Sequence, residues 1–408
     1  MIGVIADDVT GATDVAAALR RAGLRTLLAL GTDLDDSAVT ADAMVIGLKT
    51  RSLPAADAVA QSLDALAVLR ERGADRIYVK YCSTFDSTAE GNIGPITEAV
   101  AQELGADRVV TTPAAPLHAR TVYRAHLFVG DTLLAETHMR DHPVTPMRDS
   151  SVLRLLAAQS TAPVATVSLD VVQQGAGAVR DVLDRARADG ALQFVADAVT
   201  DADLAVLAEV VAGDALVAGS AGLIGAIALR ETADGTVAPA PPAGRTAIIA
   251  GSCSRRTLEQ IDRFVATGSP AFRIAAEPGD TADQLASRAL EWWDRQPADV
   301  AALLYSSSPA SERRDDVPGA GELYERTAGL IAAQLSDRGV TRMLIAGGET
   351  SGEVIRALGT TVAVVGEEVA PGAPWIHDER RDVHLVLKSG NFGDEDLFVE
   401  VARQGLAA

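Results

Sequence analysis

Charged and hydroxyl side chains follow four short apolar segments in the first half of the chain. These four polar loops are Asp7–Ala12, Lys49–Ser52, Lys80–Thr88 and Thr112–Arg120. We interpret each preceding apolar segment as a strand of a parallel sheet, and the loops that follow such strands meet at one edge. Carboxylates, ammonium groups and hydroxyls at that edge can orient the hydroxyls and negative charges of a ligand. The sequence therefore predicts a site for an oxygen-rich, anionic small molecule.

The adjacent carboxylates of Asp7 and Asp8 are the first candidates for acid–base or metal chemistry. They end a predicted strand and precede Thr10-Gly11, where a helix is expected to begin. Such a pair can align a hydroxyl or Mg²⁺, although aspartate also favours the position that caps a helix. We expect one of the two to cap the helix and the other, by preference Asp8, to face the ligand. Asp8 is assigned to catalysis and Asp7 to substrate binding. Asp86 is the best second acid, and no metal ligands are assigned.

Lysine is rare among the basic residues. Of 36 lysines and arginines, only three are lysines: Lys49, Lys80 and Lys388. Each follows a predicted strand, inside a polar loop. Because the compact ammonium and the planar guanidinium are not interchangeable, lysines retained in an arginine-rich chain favour a functional role. We assign Lys80 to catalysis and Lys49 to substrate binding, with chance placement as the alternative.

Other substrate-binding candidates lie in the same loops. The forked guanidinium of Arg51 or Arg120 can hold a carboxylate by two hydrogen bonds, whereas an ordinary surface arginine is the alternative. His118 can act as a base or donate to a keto oxygen, and Ser87 and Thr88 supply hydroxyls. These loops therefore contain groups suited to an acidic sugar.

Small and hydroxyl residues follow the predicted strands of the second half. The four loops concerned are Gly251–Ser254, Ser306–Ser308, Gly347–Gly352 and Lys388–Gly393. Glycines let backbone N–H groups approach a phosphate, and a helix N-terminus adds partial positive charge. One such loop alone is equally compatible with a structural role, but together they favour nucleotide binding. The P-loop pattern GxxxxGK[ST] and the protein-kinase signatures are absent from the sequence.

A second glycine pattern, Gly219–Gly225, follows a predicted strand of the first half. Its spacing is GxxGxxG, whereas the dinucleotide-binding fingerprint is GxGxxG with a later acidic residue. We therefore interpret these glycines as sites of close helix–strand packing.

Alternating strand-like and helix-like segments predict an α/β protein. Helices are expected at Gly11–Ala22, Ala55–Arg72 and Ala202–Val211, and a hairpin around Gly130-Asp131. The predicted strands are Ile2–Ala6, Thr26–Leu30, Met44–Leu48, Ile77–Val79, Val109–Thr111, Val164–Ser168, Phe194–Ala196, Leu216–Ala218, Ala247–Ala250, Ala301–Tyr305, Met343–Ala346, Val362–Val365 and Val383–Leu387. This alternation indicates mainly parallel sheets flanked by helices.

A proline-rich segment predicts where two domains meet. At 408 residues the chain is longer than one core usually serves. We place a linker at 237–245, between a first domain of residues 1–236 and a second of residues 246–408. The long polar loop at 138–148 is interpreted as a cap over the site or a subunit contact, since long loops are often functional. A homo-oligomer is therefore one open expectation.

Composition and charge argue against several classes of protein. The net charge of −20 argues against nonspecific binding to nucleic acid. No run approaches ~18 uninterrupted apolar residues, so no membrane partner is expected, and the acidic N-terminal segment is unlike a signal peptide. Cys82 and Cys253 suit a reducing cytoplasm, and neither has a CxxC or nearby histidine partner that would predict a cysteine-based zinc site.

The motifs resemble those of the four-carbon acid sugar kinases along essentially the whole chain. The family-wide motifs are Ile5–Ala12, Leu48–Ser52, the Lys80 loop, Gly347–Gly352 and Lys388–Gly393. The motifs that resemble the branch acting on 3-oxo-tetronate are Tyr81–Thr88, Gly91–Pro95, Arg120–Tyr123 and the 142–144 region. Threonate and erythronate kinases more often have a shorter Lys-x-Asp-Ser-Thr form, from which this sequence departs.

The resemblance implies an acid-sugar domain followed by a nucleotide domain, with the active site in the interdomain cleft and the linker as a hinge. It implies transfer of the γ-phosphoryl group of ATP, with Mg²⁺, to the C4 hydroxyl of 3-oxo-tetronate. Asp8 or Asp86 would orient that hydroxyl, and Lys80 would neutralise phosphoryl or carboxylate charge. The implied ATP contacts are Ser254, Gly347, Gly348, Glu349, Thr350 and Gly390.

Three alternatives stay open at this point. A sister kinase acting on threonate or erythronate would use the same loops. A sugar-acid dehydrogenase could use the Gly219 loop, and a sensor could bind the acid without turnover. ATP consumption with a panel of acids identifies a kinase and its substrate. A nicotinamide-dependent absorbance change would reveal the dehydrogenase, and ligand-induced closure without ATP consumption would reveal the sensor.

Overall fold

A computed structural model describes residues 1–34, 41–142, 144–231, 241–309 and 319–406, arranged as two compact units, Met1–Thr236 and Val237–Ala408. Residues 237–240 of the predicted linker lie outside this description, as does Pro143. Within these ranges, no helix is both long and apolar enough to span a membrane.

The first unit is built on a parallel sheet of short, buried strands. Its strands are β1 (Ile2–Ala6), β2 (Thr26–Leu30), β3 (Ala43–Gly47), β4 (Arg76–Lys80), β5 (Val109–Thr112), β9 (Val164–Val167), β10 (Gln193–Ala196) and β11 (Leu216–Gly219). They lie in the order β2-β3-β1-β4-β11-β5-β10-β9. Each described pairing is parallel. Strands buried on both faces explain the near-continuous apolar segments of the sequence.

Helices connect these strands. They are α1 (Val9–Arg21), α2 (Ala55–Glu71), α3 (Ile93–Leu104), α4 (Val152–Gln159), α5 (Leu169–Val172), α6 (Ala176–Ala188), α7 (Asp201–Val210) and α8 (Ala221–Ala228). Local sequence sets several of their ends. At α7, for example, Thr200 accepts the Asp203 N–H while the Asp203 carboxylate accepts the Thr200 N–H, which is a capping box.

A small antiparallel sheet interrupts the alternation. It contains β6 (Arg120–Tyr123), β7 (His126–Val129) and β8 (Thr132–Leu133). The hairpin predicted around Gly130-Asp131 is confirmed, with Gly130 at φ 64°. The prediction missed β6, because its four residues follow a proline-rich loop. Short 3₁₀ helices follow at Pro116–His118, Leu134–Glu136 and His138–Asp141.

Seven of the described strands lie in the second unit. Its strands are β12 (Thr246–Ala250), β13 (Ala271–Arg273), β14 (Ala302–Tyr305), β15 (Arg342–Ala346), β16 (Val362–Ala370), β17 (Ala373–Asp378) and β18 (Val383–Lys388). Its helices are α9 (Arg255–Ala266), α10 (Ala282–Asp294), α11 (Ala320–Asp337), α12 (Gly348–Leu358) and α13 (Leu397–Leu406). The strand order is β13-β14-β12-β15-β18-β17-β16. The α/β prediction, with a mainly parallel sheet flanked by helices in each part, is confirmed.

Two features of this sheet differ from the expectation. The strand expected at Val362–Val365 continues to Ala370 and turns back as β17, which pairs antiparallel with β16 on one side and with β18 on the other. Gly366-Glu367-Glu368 breaks the apolar pattern of the first, and Pro374 breaks that of the second. The short edge strand β13 was also missed, because three residues give no periodic signal.

The glycines after β11 pack helix against strand. Gly219 has φ +153°, and a Cβ there would lie 2.5 Å from the Thr112 carbonyl oxygen. A Cβ on Gly222 would lie 2.3 Å from the Ala114 carbonyl oxygen. These contacts support the packing interpretation of the Gly219–Gly225 pattern.

Asp197 holds a tight turn in the first unit, and its loss is expected to destabilise the protein. Its buried carboxylate accepts the N–H groups of Arg124 (2.7 Å), Ala125 (2.8 Å) and Leu169 (3.0 Å). Arg124 and Ala125 have φ values of 49° and 56°, so the turn itself is strained. Asp197→Ala should lower the free energy of unfolding by about 3 kcal/mol, measured by urea denaturation.

The matched control is Asp181→Ala, because Asp181 is exposed on α6. It should leave the urea midpoint near that of the parent chain. Equal midpoints for the two variants would show that the Asp197 hydrogen bonds contribute little.

Candidate functional site

One arginine contacts three carboxylates that lie on two other segments of the first unit. Arg51 follows β3, and its Nε and Nη2 lie 2.7 and 3.0 Å from the two carboxylate oxygens of Asp7. Its Nη2 also lies 2.9 Å from Asp8 Oδ1, and its Nη1 lies 3.7 Å from Asp86 Oδ2. Since β3, β1 and β4 are adjacent parallel strands, their carboxyl ends bring these loops together. The predicted convergence of polar loops is confirmed for this group.

Backbone hydrogen bonds fix the positions of the same loops. The Asp7 N–H donates to the Lys80 carbonyl (3.1 Å), and the N–H groups of Thr50 and Arg51 donate to the Asp7 carbonyl (3.0 and 3.3 Å). The Asn92 amide donates to the Thr50 carbonyl at 2.8 Å. The charged side chains are therefore attached to a rigid frame, which suits catalysis by positioning.

Asp8 caps α1, which corrects the assignment of the capping role to its neighbour. Its Oδ1 accepts the Gly11 N–H at 2.7 Å, and its Oδ2 accepts the Thr10 hydroxyl at 3.0 Å. Asp8 nevertheless keeps 26% of its side chain exposed, against 10% for Asp7. Burial alone would raise the pKa of Asp8, but Arg51 and Lys80 and the two hydrogen bonds bring its pKa below the usual value. Asp8 is therefore a permanently charged group rather than a proton acceptor at neutral pH.

Lys80 places a buried ammonium beside the first turn of α1. The residue is 3% exposed, and a Cβ built on Gly11 would lie 2.6 Å from Lys80 Nζ and 2.2 Å from Asp8 Oδ1. Gly11 is thus required for the close approach of both charged groups. Within the described ranges Lys80 has no ion pair within 4.0 Å, although Asp8 and Arg51 are near. A buried cation of this kind is suited to an anionic ligand.

The loop after Lys80 holds Asp86 in an unusual conformation. Phe85 and Asp86 have φ values of 64° and 40°, a region that non-glycine residues rarely adopt. The Asp86 carboxylate accepts the Thr84 hydroxyl at 2.7 Å. Burial raises the pKa of Cys82 to about 12, and Asp86 adds to that effect, so this thiol stays protonated at neutral pH. The positive φ values show that the surrounding structure holds this loop in a strained conformation, and a catalytic role of Asp86 stays a prediction.

Gln159, at the end of α4, supports the next part of the loop. Its amide nitrogen lies 3.0 Å from Ser87 Oγ and 2.6 Å from the Thr88 carbonyl, and its carbonyl oxygen accepts the Gly94 N–H at 3.1 Å. Ser87 is buried and Thr88 is half-buried. Neither Gln159 nor Asn92 was identified from the sequence, because a single polar residue near a helix end gives no signal of a partner far along the chain.

The remaining substrate candidates are placed differently. His118 Nε2 lies 3.3 Å from Asp14 Oδ1, and Asp14 lies on α1. Arg120 donates to the His118 carbonyl, while its buried Nε has no hydrogen-bond partner among the described residues. Lys49 is exposed and is not joined to the Arg51 group by any described ion pair. The roles of these three residues stay predictions.

In the second unit, polar loops surround a cavity of about 560 Å³. Its wall includes the loop after β12 and the loop after β15, and also serines that follow β14. Residues on this wall are Gly251, Ser252, Cys253, Ser306, Ser308, Gly347, Gly348, Glu349 and Thr350. Gly347 has φ +131° and precedes α12, whose first N–H groups begin beside the cavity. This arrangement fits phosphate binding at a helix N-terminus.

Ser254 and Gly390 lie next to this wall rather than on it. The Ser254 hydroxyl donates to the Gly390 carbonyl (2.6 Å) and caps α9 by accepting the Thr257 N–H (3.2 Å). The Thr257 hydroxyl donates to the same carbonyl at 2.9 Å. The buried Lys388 Nζ donates to the Gly390 carbonyl and to Thr257 Oγ1, both at 3.1 Å. These bonds tie the loop after β18 to the loop after β12.

The Gly390 position leaves no room for a side chain. A Cβ there would lie 2.4 Å from Ser252 Oγ and 2.9 Å from Ser254 Oγ. Gly390→Ala should therefore displace the cavity wall and raise the KM for ATP about tenfold, measured by steady-state kinetics. Gly177→Ala on α6 is the control, since its added Cβ would meet no atom within 4 Å. An unchanged KM in Gly390→Ala would exclude this loop from ATP binding.

Because Lys388 is buried, we expect the free energy of unfolding to depend on pH. Burial, with a smaller contribution from the nearby Arg256, lowers the pKa of Lys388 to about 7, whereas an unfolded lysine titrates near about 10.4. Between these values the unfolded chain binds a proton that the folded chain does not, so stability rises with pH. From about pH 7.5 to about pH 9.5 the parent chain should gain about 2 kcal/mol relative to Lys388→Met.

The measurement is the urea midpoint of both proteins across this range. Arg70→Met, which removes an exposed cation on α2, should keep the slope of the parent chain. Parallel curves for the parent chain and Lys388→Met would mean that Lys388 stays charged when folded.

Comparison with known families matches one family model to each of the two units. Residues 2–227 match the family described as "Sugar-binding N-terminal domain". Residues 247–398 match the family described as "Nucleotide-binding C-terminal domain". Both matches follow the division between the two units.

Relatives with an assigned enzyme name are similar to this chain over nearly its full length. The 3-oxo-tetronate kinase of Haemophilus influenzae is 40% identical over 406 residues and covers 98% of each chain. The 3-oxo-tetronate kinase of Cupriavidus necator is 42% identical over 424 residues, covering 99% of this chain and 97% of its own. A solved structure from Salmonella typhimurium LT2 has a TM-score of 0.91 at 37% identity, covering 99% of both chains. The chain therefore belongs to the four-carbon acid sugar kinase family.

Proposed function

We propose that this protein transfers the γ-phosphoryl group of ATP to the C4 hydroxyl of 3-oxo-tetronate, giving 3-oxo-tetronate 4-phosphate. The observation that carries the proposal is the group of Lys80, Arg51, Asp8 and Asp86 at the carboxyl ends of adjacent strands. This group combines a buried cation with carboxylates that can orient a hydroxyl. The relatives named as 3-oxo-tetronate kinases support the choice of substrate.

In the proposed site, Asp86 accepts or orients the proton of the C4 hydroxyl. It has only one distant contact to Arg51, at 3.7 Å, whereas Asp7 and Asp8 are closely paired to that guanidinium. Asp8 keeps the Lys80 ammonium and the first turn of α1 in place. Lys80 neutralises negative charge on the substrate carboxylate or on the moving phosphoryl group. Arg51 orders the three carboxylates, and Ser87, Thr88, His118 and Arg120 bind the rest of the acid.

ATP is proposed to bind in the second unit, with its phosphates at Gly347–Thr350 and the first turn of α12. The wide cavity and the backbone N–H groups there suit a triphosphate. Mg²⁺ needs only one or two carboxylates besides phosphate oxygens and water, and the exposed Glu349 on this wall fits that requirement. When bound, Mg²⁺ supplies charge neutralisation on the phosphates. Phosphoryl transfer requires the bound hydroxyl to meet the γ-phosphate in line, and the interdomain location of the active site stays a prediction.

The test is ATP-to-ADP turnover with Mg²⁺ against 3-oxo-tetronates of both configurations, D- and L-threonate, and D-erythronate. Turnover with a 3-oxo acid alone is the expected result. Turnover with threonate or erythronate would keep the kinase and overturn the substrate. No ADP with any acid would overturn the kinase proposal. The use of ATP fits a cytoplasmic enzyme, and assembly as a homo-oligomer stays a prediction.

A further inference from the structure

Two of the six histidines of the chain lie opposite each other on β17 and β18. The rings of His377 and His384 are stacked, with centroids 4.0 Å apart and planes 3° apart. The His384 N–H donates away from this pair, to the Thr341 carbonyl at 2.7 Å. The two residues therefore form a non-hydrogen-bonded cross-strand pair, in which side chains come closest. Their imidazoles can approach one ion with rotations of the side chains alone.

The turn between the two strands adds a carboxylate. Asp378 is buried and accepts the N–H groups of Arg380 (3.0 Å) and Arg381 (3.3 Å), which orders the turn. Asp382 then adopts φ 50° and places its Oδ1 3.1 Å from His377 Nε2. One ligand atom from each of His377, Asp382 and His384 lies within 4.8 Å of the others.

His384 has a polar ring without a polar partner. The residue is 4% exposed, and within the described part of the chain neither ring nitrogen has a hydrogen-bond partner. Neither nitrogen is among the fully buried, unpaired side-chain atoms of the described residues, so the ring keeps some contact with solvent and an ion can reach it. The adjacent cation Arg342 is directed elsewhere, toward Thr246 Oγ1 at 3.2 Å and the ring of Trp375. Asp382, by contrast, is 77% exposed at its side chain and leaves one side of the group open to solvent.

We propose that His377, Asp382 and His384 bind a divalent transition-metal ion, with Zn²⁺ as the preferred ion and water as its fourth ligand. Two imidazole nitrogens and one carboxylate oxygen form a donor set that Zn²⁺ accepts in tetrahedral geometry. Mg²⁺ prefers an all-oxygen set, so it does not compete here. His384 precedes Lys388 by four residues, about 13 Å along β18. The ion therefore joins the two strands of the hairpin and takes no part in phosphoryl transfer.

The test is titration of the full-length protein with Zn²⁺, followed by calorimetry, in the presence of excess Mg²⁺. The parent chain should bind one ion, and His377→Gln should weaken binding at least tenfold. Asp382→Asn, which changes an exposed turn residue, should also weaken it. His138→Gln is the matched control, since His138 is exposed and far along the chain in the first unit, and it should bind like the parent chain.

Co²⁺ gives a second measurement. A tetrahedral site of nitrogen and oxygen ligands should show visible absorption bands without a thiolate charge-transfer band. That spectrum should be lost in His377→Gln. Equal Zn²⁺ binding by the parent chain and His377→Gln would overturn the proposal, as would a thiolate band from Cys82 or Cys253. Absence of Zn²⁺ binding by the parent chain would overturn it as well.

Discussion

Replacing Lys80 with methionine should lower turnover of the sugar acid on the order of 10³-fold. Methionine keeps a similar length and apolar stem but removes the ammonium, which lies 3% exposed beside Gly11 and Asp8. The proposed reaction then loses its principal buried positive charge in the first unit. The KM for ATP should change by less than about threefold, since the ATP cavity belongs to the second unit. Steady-state kinetics with each substrate varied in turn measures both quantities.

Lys80→Arg separates charge from geometry. The guanidinium is larger, and the position against Gly11 accommodates a compact group, so this variant should also lose most of its turnover. Arg70→Met removes an exposed cation on α2 and should leave turnover unchanged. If Lys80→Met kept more than about a tenth of the parent turnover, Lys80 would have no role in transition-state stabilisation.

The arrangement of loops could be predicted because it follows from the order of strands. Parallel strands place every following loop at one edge, so Asp7, Arg51 and Asp86 were expected to meet before any distance was known. Which of these charged side chains form ion pairs with one another could not be predicted in the same way. Arg51 was expected to hold a substrate carboxylate, which stays a prediction, whereas the contacts of its guanidinium with Asp7 and Asp8 were not expected. Sequence shows which charges share an edge, but not which of them pair when no ligand is bound.

Residues that support the site from a distance gave no signal in the sequence. Gln159 contacts Ser87 across 72 positions of the chain, and Asn92 contacts Thr50 across 42. Gln159 ends helix α4 rather than a loop after a strand, and Asn92 was noted only as part of the Gly91–Pro95 motif, because neither residue type shows which distant backbone group it contacts. The antiparallel hairpin of β17 and β18 was missed for a related reason. That His377 and His384 face each other can be recognised only when the register of the two strands is known.

Asp86→Asn should lower kcat by about 10²–10⁴-fold, the range of a lost general base. The amide has the same shape as the carboxylate but cannot accept the proton of the C4 hydroxyl. Asparagine also tolerates the left-handed backbone that Asp86 adopts at φ 40°, so the loop should keep its conformation. The variant should accordingly retain the urea midpoint of the parent chain and its KM for ATP.

Asp8→Asn gives the comparison that assigns the base. Asp8 contacts Arg51 at 2.9 Å and accepts the Gly11 N–H, and its pKa is lowered, so it is a poor proton acceptor. Its replacement should weaken substrate binding and the position of Lys80, with kcat reduced less than in Asp86→Asn. A larger loss of kcat in Asp8→Asn than in Asp86→Asn would reverse the two roles. Full turnover in Asp86→Asn would remove that carboxylate from proton transfer, because a permanently neutral amide cannot replace a base.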